Sequence, residues 1–577
     1  MSNRALRGRR LAAVAAVGFL AAGIAACGSS GSSSSSGSAS GTSSSSGSSA
    51  TLVMESSPET TMTQNFNPWN TTAPIYGMGA DGLIYEPLIQ FNLAAPGPTE
   101  GKGWYPWLAT SYTWGNSGKS ITFAIRQGVK WSDGQAFTPD DVVYTYNLMK
   151  SDPKVNIDGL QISSVSASGN NVTVTFPSAQ YANLENIAGL AMVPKHIWST
   201  AGEASAYTDA NPVGTGPYVL GNYTSQGFTM VPNKYYWQTV PVKKVYFPAY
   251  TTNTAATNAL FSGQIDWTGN FIQGLKTNFV DKNPTQHIGW ENPGATNVLI
   301  PNMTTWPTNQ LAVRQAISAA IDRTAIGNQG EDGQEGPISS ASGLTTPIFT
   351  PWAGSGSQAT ENLTADPTTA ESILTKAGYK KDSAGFYALN GKEVSLKIED
   401  PAAYTDYAQD DQIIVSELKA AGINATPNLT STPAIWTSDL SNGNFQLSMH
   451  WGNGGITPYN MYDNWLDHTL VQGANTAGDF GRLNSPQVQT YLSTIAADQP
   501  GSAQQVTDFQ PLLKYVATNL PVIPTVFSAQ WFEANSAHFT GWPTQSNPYQ
   551  TGQPSGSNNG PGSGTDEYVI LHLKPVS

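Results

Sequence analysis

The 577-residue sequence has very little cysteine and few charged residues. Cys27 is its only cysteine, which excludes an intramolecular disulfide, a CxxC redox pair and a zinc site built from several thiolates. Only 12% of the residues are charged, against about 25% in typical domains. Acidic residues outnumber basic ones by 40 to 27. This acidic balance argues against nucleic acid or anionic lipid as a partner.

Histidine is also scarce, and no catalytic constellation is visible. The six histidines are scattered without HExxH spacing: His196, His287, His450, His468, His538 and His572. We therefore expect a protein that is not an enzyme and that uses no cofactor and no metal. Two carboxylates brought together by folding would suffice for a glycosidase, so a secreted hydrolase stays open as an alternative.

The N-terminus has the pattern of an export signal. Four arginines between residues 4 and 10 precede an apolar run from Leu11 to Ala26, which is shorter than the ~20 residues needed to span a bilayer. A basic start, a short apolar run and small residues before a cleavage site are typical of a signal peptide. The sequence Ile24-Ala25-Ala26-Cys27 resembles the bacterial lipobox. That resemblance implies a signal peptide over 1–26 and a lipid on Cys27; the alternative is an ordinary signal peptide with an incidental cysteine.

Residues 27–50 are almost purely serine and glycine after the cysteine. Such a segment has no apolar surface to bury and behaves as a flexible coil, with an r.m.s. span of roughly 25–30 Å for about 23 residues. We expect it to tether a folded domain to the anchor. Removal of residues 1–26 leaves 23 basic against 40 acidic residues, a net charge of −17.

The rest of the chain alternates strand and helix signals, which indicates an α/β fold. Its length after the tether corresponds to about three domain-sized units. Ile121, Phe123 and Ile125 alternate with less apolar residues as in a half-buried strand, and Thr138-Pro139 begins a helix. Further helices are predicted at 310–326, 366–378 and 410–421, and further strands at 445–451 and 567–573.

Seven blocks in a fixed order make this chain resemble the family 5 solute-binding proteins of ABC importers. This is the oligopeptide and dipeptide-binding group, which also includes cello-oligosaccharide binders. The blocks are WLATSY at 107–112, ITFAIRQGVKWSDG at 121–134, FTPDDV at 137–142, VPKHIW at 193–198, PVGTGPY at 212–218, ALFSGQID at 259–266 and VRQAISAAIDR at 313–323.

The resemblance implies a two-lobed periplasmic-binding-protein fold of type II, with an extra domain on the first lobe and a hinged ligand cleft. By the family pattern, lobe one comprises residues 51–90, 210–300 and, with the C-terminal tail, 526–577. The extra domain comprises 91–209 and lobe two 301–525. The implied partners are a small soluble ligand and the permease subunits in the membrane, and the protein is expected to be a monomer at the outer face of the cytoplasmic membrane. A ligand-sensing receptor on the same fold is an alternative.

The segment from His450 to Asn460 is the candidate ligand loop, because it follows a predicted strand at the edge where α/β folds place their ligands. Peptide-binding members carry an acidic residue three positions after the tryptophan of this segment, where it pairs with the peptide's amino terminus. This chain has Gly454 there, which weakens the case for that mode of peptide binding.

A neutral oligosaccharide is the alternative ligand, because aromatic rings beside amide side chains suit a sugar. The family pattern favours an oligopeptide and Gly454 favours a sugar, and both remain open. The candidate ligand-binding residues are Trp451, Gly452, Asn453, Gly454, Tyr459, Trp69, Trp267 and Asn270. For Trp69 and Trp267, packing in the core is an equally good interpretation.

Overall fold

The fold is taken from a computed structural model. The structure describes residues 51–55, 61–70, 73, 75, 78–80, 82–95, 101, 103–156, 159–346, 348–357, 363–473, 476–554 and 565–576. The predicted signal peptide, lipidated Cys27 and tether lie outside the described residues.

A seven-stranded sheet forms the first body, which we call lobe one. Its strands in spatial order are His287–Gly289, Glu533–Asn535, Trp267–Thr268, Leu52–Glu55, Val245–Pro248, Gly227–Pro232 and Tyr218–Thr224. The central strand Leu52–Glu55 pairs in parallel with both of its neighbours. Parallel strands of this kind place their carboxyl ends at one edge of the sheet, where α/β folds bind ligands.

A five-stranded sheet forms the second body, lobe two. Its strands in spatial order are Asn424–Thr430, Ser395–Pro401, Leu447–His450, Asn292–Pro301 and Ile523–Gln530. The first three run parallel to one another, and the last two pair antiparallel. Asn292–Pro301 is the first strand of lobe two in the chain and Ile523–Gln530 is the last. These two strands lie side by side at one edge of the sheet.

A four-stranded antiparallel sheet marks the extra domain, with the order Ala109–Gly115, Ser120–Ile125, Asn171–Thr175 and Ser164–Ser168. Shorter sheets pair Ile89–Phe91 with Trp104–Pro106, Phe539–Thr540 with Lys574–Pro575, and Lys380–Lys381 and Lys392–Glu393 with Tyr387–Leu389.

The α-helices in the described part of the chain are Pro139–Ser151, Leu184–Ala188, Lys195–Trp198, Asn253–Phe261, Leu275–Asn278, Leu311–Ala320, Arg323–Ala325, Pro367–Lys376, Thr405–Ala420, Pro433–Asn442, Tyr459–Leu466, Pro486–Ala496, Ala503–Asn519 and Thr565–His572. None of the helices within the described ranges is long and apolar enough to span a membrane.

Several local predictions are confirmed. The strand Ser120–Ile125 buries Ile121, Phe123 and Ile125 as the alternation predicts. The helix Pro139–Ser151 begins after Thr138, whose main-chain N–H donates to the Asp141 carboxylate at 2.9 Å. This contact is one half of a capping box, and it satisfies a donor that has no partner within the helix.

Three predicted elements differ from the structure, and the simplest case is the helix expected over 410–421, which already begins at Thr405. The helix expected over 310–326 ends at Ala320, because Ile321 is extended and Asp322 caps a new short helix by accepting from the main-chain N–H groups of Thr324 and Ala325. The strand expected over 567–573 is wrong, because residues 565–572 form a helix. Val569, Ile570 and Leu573 are buried at helical spacing, and in so short an apolar run the periods of a helix and of a strand cannot be told apart from sequence.

Three large apolar clusters form the cores of the lobes and the extra domain. One cluster joins lobe one to the extra domain, and two further clusters lie on the two faces of the lobe two sheet. Trp131, in the sequence block at 121–134, is fully buried in the first of these clusters. That block therefore contributes to the packing of the extra domain.

Candidate functional site

The chain passes twice between the two large sheets, at adjacent positions. The strand His287–Gly289 of lobe one leads into Asn292–Pro301 of lobe two, and Ile523–Gln530 of lobe two leads back into Glu533–Asn535. Because Asn292–Pro301 and Ile523–Gln530 pair with each other, both crossings lie side by side. Two adjacent short connections of this kind are what a hinge requires.

A small cavity of about 20 Å³ lies beside these crossings. Its lining consists of Gly294, Ala295, Trp451, Gly452, Gly454, Ser528, Ala529, Gln530 and Gln553. Three of the residues predicted from sequence, at positions 451, 452 and 454, are thus brought together around it. None of these nine residues carries a charge, so this part of the site presents main-chain groups, two amides and one aromatic ring.

Glycine brings main chain unusually close to the cavity. The pairing of the two crossing strands is interrupted between Pro293 and Ala295, at Gly294. A Cβ atom on Gly294 would lie 2.7 Å from Cγ of Gln530, and one on Gly454 would lie 3.3 Å from the carbonyl oxygen of Gly294. Protein atoms already occupy the space where a side chain would start at both positions, so glycine allows Gln530 and the ligand loop to pack closely on the lobe two sheet.

Trp451 is held by aromatic neighbours while part of its surface remains exposed. Its ring centroid lies 4.3 Å from that of His450 and 5.7 Å from that of Trp436. Burial lowers the pKa of His450 to about 4, so this imidazole is neutral near pH 7. His450 Nδ1 donates to the carbonyl oxygen of Trp451 at 2.8 Å. These contacts fix the orientation of Trp451 at the cavity wall.

Two further residues of the predicted ligand loop, Asn453 and Tyr459, lie in different surroundings. Asn453 is half-buried next to the cavity residues Gly452 and Gly454. Tyr459 begins the helix Tyr459–Leu466 and is buried in a core cluster of lobe two. Tyr459 thus packs beneath the loop in the described structure, where it supports the loop's position.

Trp69 and Trp267 are enclosed by protein atoms. Trp69 packs edge-to-face on Trp198, with 5.0 Å between ring centroids. Trp267 is fully buried against Trp542, and its Nε1–H donates to the carbonyl oxygen of Gly552 at 2.7 Å. The structure therefore places both rings in the core, which was the alternative interpretation of each, and we leave them out of the proposed ligand contacts.

Asn270 lies at the cleft edge of lobe one and is engaged with carboxyl groups. Its side-chain Nδ2 donates to Glu55 at 2.9 Å, and its main-chain N–H donates to Glu533 at 3.2 Å. Burial raises the pKa of Glu55 to about 7. The same burial, followed by the nearby carboxyl groups of Glu291 and then Glu55, raises the pKa of Glu533 well above its ordinary value.

Sequence reasoning missed Gln530, Gln553 and Ser528 as cavity residues. They lie about 75 to 100 residues after the ligand loop and carry no motif. The pairing of Ile523–Gln530 with Asn292–Pro301 brings Ser528 and Gln530 to the cavity, and Gln553 reaches it from the C-terminal part of the chain. A half-exposed aromatic pair was missed for the same reason: Phe271 and Trp531 pack edge-to-face with ring centroids 5.7 Å apart.

Comparison with known sequences identifies a family and several relatives. The family model for bacterial extracellular solute-binding proteins, family 5 (middle), matches residues 103–472, more than half of the chain. Protein XP55 of Streptomyces lividans is 30% identical over 371 residues, a match that covers 61% of this chain and 64% of XP55. The chain thus spans a little less than two thirds of that relative. The nickel-binding periplasmic protein of Escherichia coli is 25% identical over 77% of this chain and 84% of its own length.

Comparison with solved structures gives the same fold. A periplasmic oligopeptide-binding protein of an ABC transporter from Thermotoga maritima superposes with a TM-score of 0.82, at 24% identity, over 91% of this chain and 99% of that one. The same Thermotoga protein with mannohexaose bound gives a TM-score of 0.78, at 23% identity, over 91% and 98% of the two chains. The α/β, two-lobed, type II periplasmic-binding-protein fold predicted from the sequence is confirmed.

Proposed function

Because the chain belongs to the bacterial extracellular solute-binding proteins of family 5, we propose that it is the substrate-binding protein of an ABC importer. It captures an oligopeptide-type solute between lobe one and lobe two and delivers that solute to the permease. The observation that carries the proposal is the uncharged cavity beside the two chain crossings, where main-chain groups and amides meet residues of the ligand loop. The protein returns its solute chemically unchanged.

Hinge closure is the step that couples binding to delivery. A ligand closes such lobes only by binding the closed form better than the open form. Trp451 and Gly454 come from lobe two, whereas Gln553 belongs to the C-terminal part of the chain, which the family pattern assigns to lobe one. A solute that contacts both sets of residues therefore stabilises the closed form.

An oligopeptide suits the glycine-lined part of the cavity. Gly294 and Gly454 both line the cavity, and peptide recognition commonly uses main-chain hydrogen bonds for affinity. The Thermotoga maritima neighbour is itself described as an oligopeptide-binding protein, which supports a ligand of this class.

A neutral oligosaccharide is the second candidate, and one observation favours it. The cavity combines a partly exposed tryptophan with Gln530 and Gln553 and carries no charge, which suits stacking on a sugar face and hydrogen bonds to hydroxyl groups. The Thermotoga maritima protein has also been crystallised with mannohexaose.

We further propose that Cys27 carries the lipid that holds the mature protein at the outer face of the cytoplasmic membrane. The Ser/Gly-rich segment 28–50 would then serve as the tether, and the protein would act as a monomer beside its permease.

A binding screen tests the proposed function. The mature chain with Cys27→Ser is titrated calorimetrically with a mixed tripeptide library, with mannohexaose and with cello-oligosaccharides. A ligand present at 100 times its dissociation constant should add about 2.7 kcal/mol to the free energy of unfolding, which a thermal shift detects. Turnover of any of these ligands by the pure protein, beyond one equivalent, would contradict a binding role.

A further inference from the structure

A row of acidic side chains crosses the edge of the lobe one sheet. Glu55 is the last residue of its strand and pairs in register with Thr268, which in turn pairs with Glu533. Residues paired in register point to the same face of a sheet. The two glutamates therefore flank Thr268 on one face, and both are fully buried.

Only one of the two oxygens in each of these carboxyl groups accepts hydrogen bonds. Glu55 Oε2 accepts from Thr268 Oγ1 at 3.1 Å and from Asn270 Nδ2 at 2.9 Å, and Glu533 Oε2 accepts from the Asn270 main-chain N–H at 3.2 Å. The second oxygen of each, Oε1, is buried with no hydrogen-bond partner. A buried polar atom without a partner costs about 1–3 kcal/mol.

The cluster contains no positive charge to balance its carboxyl groups. Glu291 adds a third carboxyl near Glu533, and none of the ion pairs between described residues involves any of the three glutamates. The other titratable group facing Glu55 is Tyr250, whose pKa is raised by burial and which is neutral near pH 7. A buried carboxylate must be paired or must take up a proton.

When no cation is bound, protons neutralise the buried carboxyl groups. Burial raises the pKa of Glu55 to about 7 and that of Glu533 well above its ordinary value. A metal ion does not fit, since the described residues contain no group of three or more His, Cys, Asp or Glu arranged to hold one. An organic cation, which needs hydrogen-bond acceptors in place of a coordination shell, fits the two unpartnered oxygens.

Gly269, inside the acidic row, lies close to a residue of the cavity. Gly269 connects Thr268 to Asn270, and a Cβ atom on it would lie 2.9 Å from the carbonyl oxygen of Trp531 and 3.4 Å from Cγ of Gln553. Gln553 itself lines the cavity with Trp451 and Gly454. The half-exposed pair of Phe271 and Trp531 adds aromatic faces at this point, which attract cations.

We propose that Glu55 and Glu533, with Glu291 beside them, form a cation-binding subsite of the cleft that takes an ammonium or guanidinium group of the solute. Asn270 positions the two carboxyl groups through its amide and its main-chain N–H. When the cation enters, a glutamate releases its proton to solvent and the carboxylate accepts hydrogen bonds from the cation. The inference rests on the proposed function and deepens it, because it selects peptides with a free amino group over neutral sugars.

Calorimetry with matched probes tests the subsite. The full mature chain is titrated with a mixed tripeptide library with free amino termini, with the same library after acetylation, and with mannohexaose. We expect the free library to bind at least tenfold more tightly than the acetylated one. Glu55→Gln and Glu533→Gln should each remove most of that preference. Glu86→Gln, at another buried lobe one glutamate whose pKa is raised to about 7, should leave it unchanged.

Proton release gives a second readout that needs no variant. Titrations at pH 7 in two buffers of different ionisation enthalpy should show that the wild-type protein releases protons when the free library binds, and releases fewer with the acetylated one. Equal affinity for both libraries, or binding without proton release, overturns the subsite and leaves the importer function intact. Binding of mannohexaose alone also overturns the subsite and supports the oligosaccharide function. Binding of none of the three probes contradicts the proposed function, and the subsite with it.

Discussion

Glu185 and Ile456 are 271 residues apart in the sequence, yet Oε2 of Glu185 accepts a hydrogen bond from the main-chain N–H of Ile456 at 2.8 Å. The same oxygen accepts from Nδ2 of Asn460 at 3.0 Å. Ile456 itself is buried in the cluster that joins lobe one to the extra domain, whereas Ala182, three residues before Glu185, is buried in a cluster of lobe two. Through these two hydrogen bonds, the extra domain thus binds the ligand loop of lobe two.

We predict that Glu185→Ala weakens the contact between the extra domain and the ligand loop and shifts the unliganded protein towards an open form. The substitution leaves the Ile456 N–H and the Asn460 amide without their acceptor, at a cost of about 1–3 kcal/mol. Small-angle X-ray scattering should show a larger radius of gyration. Glu185→Gln is the matched control, because its amide oxygen still accepts hydrogen bonds. If the alanine and glutamine variants scatter identically, Glu185 does not hold the loop.

The buried carboxyl groups predict that the protein is more stable in mild acid than in mild base. The pKa values of Glu55, Glu86, Glu185 and Asp463 are each raised to about 7, with burial as the largest cause. A group whose pKa is raised on folding stabilises the protein fully below its unfolded pKa, near 4, and this contribution is lost as the pH rises through about 7. His450 acts in the opposite sense, since its pKa is lowered to about 4 and its contribution is lost as the pH falls below 6.5.

Four acids outweigh one histidine, so the melting temperature should be higher at pH 5 than at pH 8 by several degrees. Differential scanning calorimetry at constant ionic strength measures it. Asp463→Asn should flatten the dependence, because an amide cannot ionise. A melting temperature that rises steadily from pH 5 to pH 8 would contradict the predicted stabilisation in mild acid.

Trp451→Ala should weaken binding of whichever solute the screen identifies. Aromatic contacts contribute about 0.5–1.5 kcal/mol beyond their area burial, so the total loss should reach about 2 kcal/mol, roughly thirtyfold in the dissociation constant. Trp306, a half-buried lobe two tryptophan whose Nε1–H donates to the carbonyl oxygen of Glu393, offers the control Trp306→Ala. Isothermal titration calorimetry measures the affinity of both variants for the solute. Equal losses of affinity would show that Trp451 acts only through the stability of the protein.

Gly454→Asp distinguishes the two ligand classes. The new side chain would start 3.3 Å from the carbonyl oxygen of Gly294 and would bring a negative charge to the uncharged cavity. Affinity for an oligosaccharide should fall, whereas affinity for peptides with a free amino terminus should be retained or should rise. Gly454→Ala adds the Cβ atom without the charge and separates the steric effect from the electrostatic one. A loss of peptide affinity in the aspartate variant alone would count against an amino terminus at this position.

Cys27→Ala tests the anchor. Without the acceptor of the lipid, the protein should appear in the medium or remain as an uncleaved precursor, as shown by fractionation and mass measurement. Cys27→Ser is a second variant with nearly the same volume and should behave in the same way. Mature, membrane-bound protein in either variant would contradict a lipid on Cys27.

Local and short-range features of this protein follow from the sequence alone. The capped helix at Pro139–Ser151 and the strand at Ser120–Ile125 depend on neighbouring residues, so their patterns predict them. The ordered blocks identify the family and therefore the fold. Trp451, Gly452 and Gly454 line one cavity, and the sequence could place them together because they follow a buried strand at the edge where α/β folds bind ligands.

Contacts between distant segments were decided only by the tertiary structure. Trp69 and Trp267 carry the same local pattern as Trp451, an aromatic ring beside an amide, and only their neighbours Trp198 and Trp542 show that they are core residues. Gln530, Gln553 and Glu185 reach the cleft through strand pairing and domain packing. Glu55 and Glu533 meet through register across Thr268, some 478 positions apart in the chain. Because burial and pairing sum contributions from the whole chain, no local window of sequence contains them.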